Sequence, residues 1–435
     1  MGQAAGIYYL YTKVKLTSLS LPSVSKLTAP LQRSGAALKR QDTKSSATHR
    51  GEVAQAKRSD GGEYNQENLS NKKMNIVCFH LFNDYSGSPK VLNGVLKGLA
   101  ANGHEIKLYT SRGGVLDELK GLENIVLEQY DYRFARNILI RTLRYAWVQI
   151  LISMFALRYT FRRDVVFYIN TILPVGPALV GRLTGKKVLY HYHENAKAKS
   201  RFYRLLAWCM KRLAHEVICV SEYQKMQLGY NGRVTTIPNS LQQEFAQRLK
   251  PDATRAFADK RVLMLGSLKR YKGTDEFIVL AHRLPQFKFE LVLNEDSANI
   301  EAYLKAGKIE VPGNLVIHPR QNDVAQFYNR ASLVLNLSNK ELFIETFGLT
   351  ALEAMTAGLP VIVPTVGGIA EMVEDGKNGY RIDVQDIGKI AHCVEEIFTD
   401  EDLFITLAKN AQKCSAKFSE RETLKMTEQV LTRLA

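Results

Sequence analysis

Short apolar runs and amphipathic stretches alternate along the chain from residue 74 onward. The first apolar run, residues 74–80, is followed by a polar, glycine-containing loop at 83–88. Apolar positions then recur at helical spacing across 91–99, and Asn102-Gly103 closes this stretch with a residue type that tolerates left-handed backbone. A second apolar run at 106–110 completes a strand–loop–helix–strand pattern, which predicts a βαβ unit.

The same alternation continues and restarts once, after a polar stretch at 242–260. Nearly continuous apolar strands between helices are typical of parallel sheets that helices cover on both faces. One restart predicts two such domains in tandem, each an α/β domain with a doubly wound parallel sheet. The further predicted strands are 165–169, 187–191, 216–220 and 234–237 before the restart, and 261–266, 289–293, 315–317, 333–336 and 360–363 after it.

The first 73 residues differ from the rest of the chain, because they show little apolar periodicity and many Ser, Thr, Lys, Gln and Gly residues. Such a composition buries too little apolar surface to offset the entropy that is lost on ordering. We therefore expect either a disordered extension, or a segment outside the native protein, with Met74 as the first native residue.

Composition and charge narrow the class of protein. The 435 residues, 46% of them hydrophobic, are enough for two cores. A formal net charge of +16 predicts an anionic partner, which is nucleic acid, an anionic membrane surface or a phosphorylated small molecule. The five cysteines form no Cys-x-x-Cys pair, which favours a reducing compartment over a disulfide scaffold or a zinc site. No run of about 18 uncharged apolar residues appears, so we expect no membrane-spanning helix.

The most informative segment carries two glutamates, Glu345 and Glu353, with Phe347-Gly348 between them at the predicted start of a helix. Free backbone N–H groups at a helix start, together with the helix dipole, favour an anionic phosphate. Gly348 lets a ligand approach the backbone closely. Ionised carboxylates only accept hydrogen bonds, which suits the hydroxyls of a ribose and a sugar. The alternative is a capped surface helix with two solvated glutamates, and the surrounding Phe-Gly, Glu-Ala-Met and Gly-x-Pro-Val-Ile sequence makes it less attractive.

Residues 345–361 resemble the signature of the GT-B-fold retaining glycosyltransferases of family 4, the type also called glycosyl transferases group 1. That signature has the form E-x-F-G-x-x-x-x-E-A-M-A-x-G-x-P-V, and the chain departs from it at Thr356, where Ala is common. Segments 367–371 and 375–379 also resemble the family's continuation. The resemblance extends over about residues 74–420, and it implies two Rossmann-like domains with an inter-domain cleft.

The resemblance also implies a role for each residue of this segment. Glu345 would contact the donor sugar and Glu353 the ribose of the nucleotide. The backbone amides around Phe347, Gly348 and Leu349 would hold the diphosphate. Retention of anomeric configuration is implied as well, by a front-face route in which the leaving phosphate helps to deprotonate the acceptor. The protein would then mainly position the substrates and stabilise the departing charge.

A second element of the resemblance begins the C-terminal domain, at residues 265–273. The family usually has Gly-Arg-Leu with a Lys-Gly further on, and its Arg and Lys grip the donor phosphates. Lys272 stands at the expected position, but Ser267 replaces the expected arginine. Lys269 or Arg270 is left to supply the missing charge, although Arg and Lys bind phosphate with different geometry. Taken alone, the segment is equally a solvated basic turn.

The N-terminal domain offers weaker candidates. His193-Glu194 follows the predicted strand 187–191, and ligands of open α/β sheets gather beyond the carboxyl ends of the strands. The family carries a His and an acidic residue there, which implies that His193 hydrogen-bonds the donor sugar, with His191 as the competing candidate. The loop around Gly87 corresponds to the family's Gly-Gly loop and is a candidate for binding phosphate or acceptor.

Seven arginines and no acidic residue lie in the segment Arg133 to Arg163, around an apolar stretch at 147–157. An apolar centre with basic ends favours a helix that lies on an anionic membrane surface. A buried crossover helix with solvated arginines is the alternative. If the segment is one helix, five arginines share roughly one face: Arg133, Arg136, Arg144, Arg158 and Arg162.

We therefore predict a glycosyltransferase that moves a sugar from a nucleoside diphosphate sugar, such as a UDP- or GDP-sugar, to a glycan or lipid-linked acceptor. The expected setting is bacterial cell-surface polysaccharide or lipopolysaccharide synthesis, in the cytoplasm and peripheral on the inner face of the membrane. The alternatives are a non-catalytic sugar-nucleotide-binding protein and a sugar-nucleotide epimerase. No Asp-x-Asp follows a strand of the donor region, so we expect no metal and no cofactor. No basic stripe interleaved with aromatics appears, so we expect no nucleic-acid partner.

The predicted domain boundaries follow from the single restart of the pattern. Residues 1–73 form the extension and residues 74–250 the N-terminal acceptor domain. Residues 251–415 form the C-terminal donor domain. The last segment, 416–435, is predicted to be a helix that packs back toward the N-terminal domain.

Overall fold

The computed structural model describes residues 73–435, apart from residues 134, 136 and 198. The predicted N-terminal extension therefore lies, except for Lys73, outside the described residues. The described part of the chain contains two parallel sheets packed against helices, as the alternation of apolar runs predicts. The predicted fold class, with two Rossmann-like α/β domains, is confirmed.

The first sheet consists of parallel strands. They are β1 (Asn75–His80), β2 (Glu105–Ser111), β3 (Ile125–Tyr130), β4 (Val165–Asn170), β5 (Lys187–Tyr192), β6 (Glu216–Cys219) and β7 (Arg233–Thr236). Their order in the sheet is β3-β2-β1-β4-β5-β6-β7. In β1, Val77 and Phe79 enter one core, whereas Ile76 and Cys78 enter another on the opposite face. Burial on both faces is the reason that the apolar runs of the central strands are continuous.

Helices connect these strands and lead on to the second domain. Ser200 and Ser221 cap two of the helices, since their side-chain oxygens accept hydrogen bonds from the backbone N–H groups of Tyr203 and Gln224. The helices are α1 (Gly87–Ala101), α2 (Ile138–Leu157), α3 (Val175–Leu183), α4 (Arg201–Leu213), α5 (Glu222–Leu228), α6 (Gln243–Ala246) and α7 (Ala253–Asp259).

The second sheet is smaller and also parallel. Its strands are β8 (Arg261–Gly266), β9 (Lys288–Leu293), β10 (Leu315–His318), β11 (Leu333–Leu335), β12 (Val361–Val363) and β13 (Gly379–Arg381). They follow the order β10-β9-β8-β11-β12-β13. In both sheets the order reverses beside the first strand, between β1 and β4 and between β8 and β11. Open α/β sheets bind ligands at such switch points, beyond the carboxyl ends of the strands.

The helices of the second domain end with one that returns to the first. They are α8 (Thr274–Arg283), α9 (Ser297–Gly307), α10 (Ala325–Arg330), α11 (Leu349–Thr356), α12 (Ile387–Thr399), α13 (Glu401–Ser415) and α14 (Glu420–Leu434). Val430, Leu431 and Leu434 of α14 enter the core that also holds Ile76 of β1. The carboxylate of Glu428 accepts a hydrogen bond of 2.7 Å from the Asn102 side chain, at the end of α1.

Two strands are absent from the sequence prediction, β3 and β13. Strand β3 lies at the edge of its sheet and is only partly buried, with Val126 55% exposed. Its apolar run is therefore interrupted by Glu128 and Gln129. Strand β13 has three residues, which is too short for a periodic pattern.

Candidate functional site

Glu345 lies in the loop between β11 and α11, and its side chain is 13% exposed. Its Oε1 atom accepts hydrogen bonds from Lys272 Nζ at 2.5 Å and from Ser338 Oγ at 2.7 Å. Burial raises the pKa of Glu345, but the Lys272 ammonium and the two hydrogen bonds outweigh burial, so the pKa falls below its usual value. The carboxylate is therefore held ionised and fixed in direction.

Lys272 reaches Glu345 because two loops approach each other closely. It ends the short 3-10 helix Arg270–Lys272, and its ammonium lies 5.3 Å from the ring centroid of Phe343. The next residue, Gly273, has a φ of 76°, and a Cβ there would lie 2.2 Å from the carbonyl oxygen of Leu337. Only glycine fits at this crossing, which brings the loop after β8 against the loop after β11.

Glu353 faces the first domain from inside α11. Its carboxylate accepts a hydrogen bond from the hydroxyl of Tyr328. Burial raises the pKa of Glu353, and the ammonium of Lys90 partly opposes that rise. Because Lys90 belongs to α1, the carboxylate lies within electrostatic reach of both domains.

Helix α11 begins directly after Gly348, which has a φ of 104°. A Cβ at Gly348 would lie 2.5 Å from Ile369 Cγ1, so a larger residue would displace the helix start. Phe347 is buried, and its ring makes an edge contact with Phe418 at 5.8 Å, so this side chain belongs to the core of the second domain. In the first turn of α11 the N–H groups of Ala351 and Leu352 donate to the carbonyl of Gly348, so the N–H groups of Leu349 and Thr350 are those that the helix start offers to a ligand.

Gly87 begins α1, and a Cβ there would lie 3.5 Å from Leu349 Cδ1, at the first residue of α11. The starts of α1 and α11 therefore lie side by side, one from each domain. This juxtaposition places Gly87 beside the predicted diphosphate region. Its role in binding stays a prediction.

The two cations suggested as replacements for the arginine absent at Ser267 lie in different surroundings. Burial raises the pKa of Glu345, and the charge of Lys269 lowers it, after the larger contributions of Lys272 and Ser338. Arg270 is exposed, and its charge lowers the pKa of Glu276, which burial raises, rather than that of Glu345. The position of Lys269 therefore favours it as the second cation of the site, while the predicted donor contact of Arg270 has no structural support beyond its neighbourhood.

His193 follows β5 and lies next to the Glu345 loop. The hydroxyl of Thr346 donates a hydrogen bond of 2.9 Å to the carbonyl of His193, and Ser221 Oγ donates one of 2.7 Å to the carbonyl of Thr346. The His193 ring Nε2 lies 3.0 Å from Asn170 Oδ1. Burial lowers the pKa of His193 well below its usual value, and His191 and His80 lower it further. The imidazole is therefore neutral and oriented.

His191, the other histidine candidate, is more enclosed than His193. Its side chain is buried, and its Nδ1 lies 2.7 Å from the hydroxyl of Tyr168. Its Nε2 is also buried and has no hydrogen-bond partner. The sequence did not distinguish the two histidines, and they differ in the structure by how deeply each side chain is buried.

Stability should fall between pH 7 and about pH 5.5, because His80 and His191 stay neutral in the folded protein. Burial lowers the pKa of His80 to about 4 and that of His191 to about 3. An unfolded histidine binds a proton below its ordinary pKa of about 6.5, so stability present above that pH is lost as the pH falls, by about 1 kcal/mol per buried histidine at pH 5.5. Urea unfolding of His191→Asn should show a pH effect smaller by that amount. The same effect in His191→Asn as in the exposed control His392→Asn would contradict this.

Four residues of the site were missed by the sequence analysis: Ser338, Tyr328, Thr346 and Asn170. Ser338 and Asn170 lie at or just after the carboxyl ends of β11 and β4, where the switch-point rule places ligands, and this rule was the available signal. Tyr328 carries no such signal. Within residues 73–435, leaving out the three undescribed positions, no three His, Cys, Asp or Glu side chains gather in a way that could hold a metal ion.

The arginine-rich segment differs from its prediction in two respects. It is not one helix, because α2 spans Ile138–Leu157, with Arg133 before it and Arg158 and Arg162 after it; Arg136 lies outside the described residues. In addition, α2 is long and apolar enough to cross a membrane by length and composition, and 11% of its apolar window is buried. The sequence analysis looked for a run without charge and so did not single out this helix, which contains arginines; length and composition do not show that α2 spans a membrane, and the expectation of no spanning helix stays a prediction.

Two protein families match the chain. Residues 85–244 match the family described as Glycosyltransferase Family 4, and residues 247–414 match the family described as Glycosyl transferases group 1. Together the two matches extend over more than half of the chain. They meet between β7 and β8, where the first sheet ends and the second begins.

Two curated relatives match parts of the chain. An uncharacterized glycosyltransferase of Methanocaldococcus jannaschii is 30% identical over 210 residues, which make up 47% of this chain and 55% of that protein. The N-acetyl-alpha-D-glucosaminyl L-malate synthase of Bacillus anthracis is 26% identical over 168 residues, 38% of this chain and 43% of the relative. The chain thus matches about half of the length of these relatives.

Solved structures with a similar fold are matched over nearly their whole length. HepE from Anabaena, in complex with UDP and glucose, has a TM-score of 0.65 at 19% identity, and the match covers 82% of this chain and 99% of that one. WaaG, a glycosyltransferase involved in lipopolysaccharide biosynthesis, has a TM-score of 0.61 at 18% identity, with coverage of 82% and 99%. These similarities show a shared two-domain α/β fold.

Proposed function

Because this chain belongs to the GT-B glycosyltransferases of the group 1 type, we propose that it transfers a sugar from a nucleoside diphosphate sugar to a glycan or lipid-linked acceptor, with retention of anomeric configuration. The observation that carries the proposal is the pairing of Lys272 with Glu345 in the loop that leads to α11. A cation, a fixed carboxylate and unpaired helix amides together match a diphosphate joined to a sugar.

In this proposal the donor lies along the edge of the second sheet. The ammonium of Lys272 and the first amides of α11 bind the diphosphate, with Lys269 as a further positive charge. Glu345 accepts hydrogen bonds from the sugar hydroxyls, and Glu353 accepts them from the ribose in place of the Tyr328 hydroxyl. The structure of HepE with UDP and glucose supports a donor of the UDP-sugar class.

The proposed reaction requires no covalent intermediate on the protein. Negative charge builds up on the leaving diphosphate, where Lys272 and the helix amides stabilise it. A leaving phosphate oxygen takes the proton of the attacking acceptor hydroxyl on the same face of the sugar. Neutral His193 accepts or donates one hydrogen bond to the donor sugar, and the strand ends of both domains hold the two substrates together.

A non-catalytic nucleotide-sugar-binding protein is the second candidate, and Ser267 is the observation that favours it. The family's phosphate-binding arginine is missing at that position. Lys269 restores a positive charge near Glu345, so the loss is compensated in charge, though not in the bidentate geometry of arginine. We therefore retain the catalytic function as the proposal.

The proposed location is the cytoplasm, with the protein peripheral on the inner face of the membrane. The basic ends and exposed apolar side chains of α2 support an anionic membrane surface as a partner. The similarity to WaaG supports a role in bacterial cell-surface polysaccharide or lipopolysaccharide synthesis. A lipid-linked acceptor fits both statements.

Thermal unfolding with UDP-, GDP-, ADP- and CMP-sugars tests the donor site through Glu353→Gln. The variant should bind the correct nucleotide sugar about 10- to 100-fold more weakly, because a charged acceptor of the ribose hydroxyls is lost. A ligand at one hundred times its Kd adds about 2.7 kcal/mol to the stability of the folded state, which is readily measured. The exposed control Glu301→Gln on α9 should behave as wild type.

Each outcome of this experiment decides a part of the proposal. Stabilisation of wild type and Glu301→Gln by one nucleotide sugar, and its loss in Glu353→Gln, supports the site and identifies the donor class. Stabilisation without transfer to any glycan or lipid-linked acceptor favours the non-catalytic alternative. No stabilisation by any of the four would reject a nucleotide-sugar donor, and product with inverted anomeric configuration would reject retention.

A further inference from the structure

Helices α2, α3 and α4 pack side by side on one face of the first sheet. The rings of Tyr145 in α2 and Phe202 in α4 meet edge to face at 5.3 Å, and the inner side of α2 buries Val148 and Ile152 in the core. The outer side of the three helices, here called the outer face, is apolar. Six of its side chains are each more than half exposed: Leu143, Trp147, Ile150, Leu183, Leu205 and Trp208.

The inner contacts of α2 keep it in the domain. Its Gln149 side chain accepts a hydrogen bond of 2.9 Å from the backbone N–H of Gly176 in α3. A Cβ at Gly176 would lie 2.2 Å from Ser153 Oγ, so the two helices approach as closely as glycine allows. Withdrawing α2 to span a bilayer would break these contacts and expose the core. The outer face is therefore suited to lying on a membrane surface rather than to spanning a bilayer.

The charge on these helices has one sign. Within their described bounds, α2, α3 and α4 contain no Asp or Glu, whereas α4 alone carries Arg201, Arg204, Lys211 and Arg212. Apolar side chains between basic ones are the pattern of a surface that binds anionic lipid. An acidic, apolar protein surface would match the same pattern, and binding to vesicles distinguishes the two partners.

A pocket of about 160 Å³ lies beside the outer face, between α4 and α5. Its lining includes three cations, Lys197, Arg204 and Lys211. Among the described lining residues the acid is Glu194, whose carboxylate already accepts hydrogen bonds from backbone N–H groups of Ile172 and His193. Burial lowers the pKa of Lys211, and the like charge of Lys197 lowers it further. Three cations therefore line one pocket against one acid among its described lining residues, and one of them, Lys211, also donates a hydrogen bond of 3.1 Å to the carbonyl of Gly229.

We propose that this pocket binds the phosphate group of an anionic membrane lipid, whose apolar chains lie along the outer face. Trp208 belongs both to the outer face and to the pocket lining, so headgroup and chain sites are continuous. Glu194 borders the pocket next to His193, so the bound phosphate lies at the same end of β5 as the donor site. One part of this inference rests on the proposed function, namely that the bound lipid carries the acceptor of the sugar.

Sedimentation with vesicles of phosphatidylcholine, with and without phosphatidylglycerol, tests the pocket. The variant Lys197→Gln/Arg204→Gln should bind the anionic vesicles about 10- to 30-fold more weakly than wild type. The control Lys409→Gln/Lys413→Gln removes the same charge from exposed positions of α13 and should bind as wild type. A third variant, Leu143→Ser/Trp147→Ser, should weaken binding through the outer face alone. Because all six side chains are at least partly exposed, thermal unfolding should stay close to that of wild type.

If the pocket variant and its control bind the anionic vesicles equally well, the pocket does not bind the lipid phosphate. If only Leu143→Ser/Trp147→Ser weakens vesicle binding, the outer face is a non-specific apolar surface. Stabilisation of wild type by inorganic phosphate without vesicle binding would identify a free-phosphate site and overturn the lipid. Nucleotide-sugar binding is measured in the same variants and should not change. If no nucleotide sugar binds but the pocket-dependent vesicle binding persists, the proposed function fails while the lipid site stands.

Discussion

Replacement of Lys272 by methionine should lower kcat/KM by about 100-fold or more. Methionine keeps much of the length of the side chain but removes the charge that faces the leaving diphosphate, and loss of one preorganised group of this kind costs on the order of 100- to 1,000-fold. Initial rates with the donor identified by thermal unfolding give the measurement. The matched control is Lys377→Met, which breaks an exposed ion pair with Glu374 and should keep wild-type rates.

The same variant should also lose stability, by about 2 kcal/mol at pH 7, because Glu345 stays buried without its cation. In wild type the lowered pKa of Glu345 contributes stability above its ordinary value of about 4.5, and this is lost as the pH falls through the folded pKa. In the variant the largest opposing charge is gone and burial is countered only by the Ser338 hydrogen bond and Lys269, so we expect the pKa to rise and the cost of the buried carboxylate to be relieved as it takes a proton. Urea unfolding should therefore show the two proteins converging below about pH 4.5. A pH-independent difference would contradict the pairing.

Replacement of Gly273 by alanine should destabilise the protein by about 3 kcal/mol and abolish donor binding. The φ of 76° costs a β-carbon about 1–2 kcal/mol, and the 2.2 Å approach to the carbonyl of Leu337 adds a clash with backbone that cannot rotate away. Gly376→Ala is the control, because its φ is 72° and no atom lies within 4 Å of its Cβ.

The control should lose only about 1–2 kcal/mol, which is the cost of the left-handed backbone alone. Urea unfolding compares the two variants, and thermal shift with the donor reports the site. An equal loss of stability in both would mean that the loop after β8 yields to the added carbon, and that Lys272 is not held by this crossing.

The apolar runs predicted most of both sheets, because a strand buried on both faces needs apolar residues at every position. The apolar pattern does not predict a strand that is exposed on one face or is very short. Strand β3 leaves Val126 exposed at the sheet edge, and β13 is too short to show a period. The bounds of α2 within the arginine-rich segment were not predicted either, since a charge pattern does not reveal where a helix begins and ends.

The candidate site was predictable where its residues lie in one continuous segment. Glu345, Gly348 and Glu353 are close in sequence, so a short motif carries them. Their partners Ser338 and Tyr328 lie in other segments, and no local pattern pairs a tyrosine of α10 with a glutamate of α11. The distinction between His191 and His193 depends on burial, which a single sequence does not display.

Helix α14 has a mechanical consequence for catalysis. The chain passes between the domains twice, first between β7 and β8 and again between α13 and α14. Thr423 Oγ1 donates a hydrogen bond of 3.1 Å to the carbonyl of Pro238, so the second passage is fastened next to the first. Two adjacent connections define an axis, and we expect the two domains to bend about that line rather than to twist. In the proposed function, a donor that enters between the domains would then meet Lys272 and His193 along one repeatable path of closure.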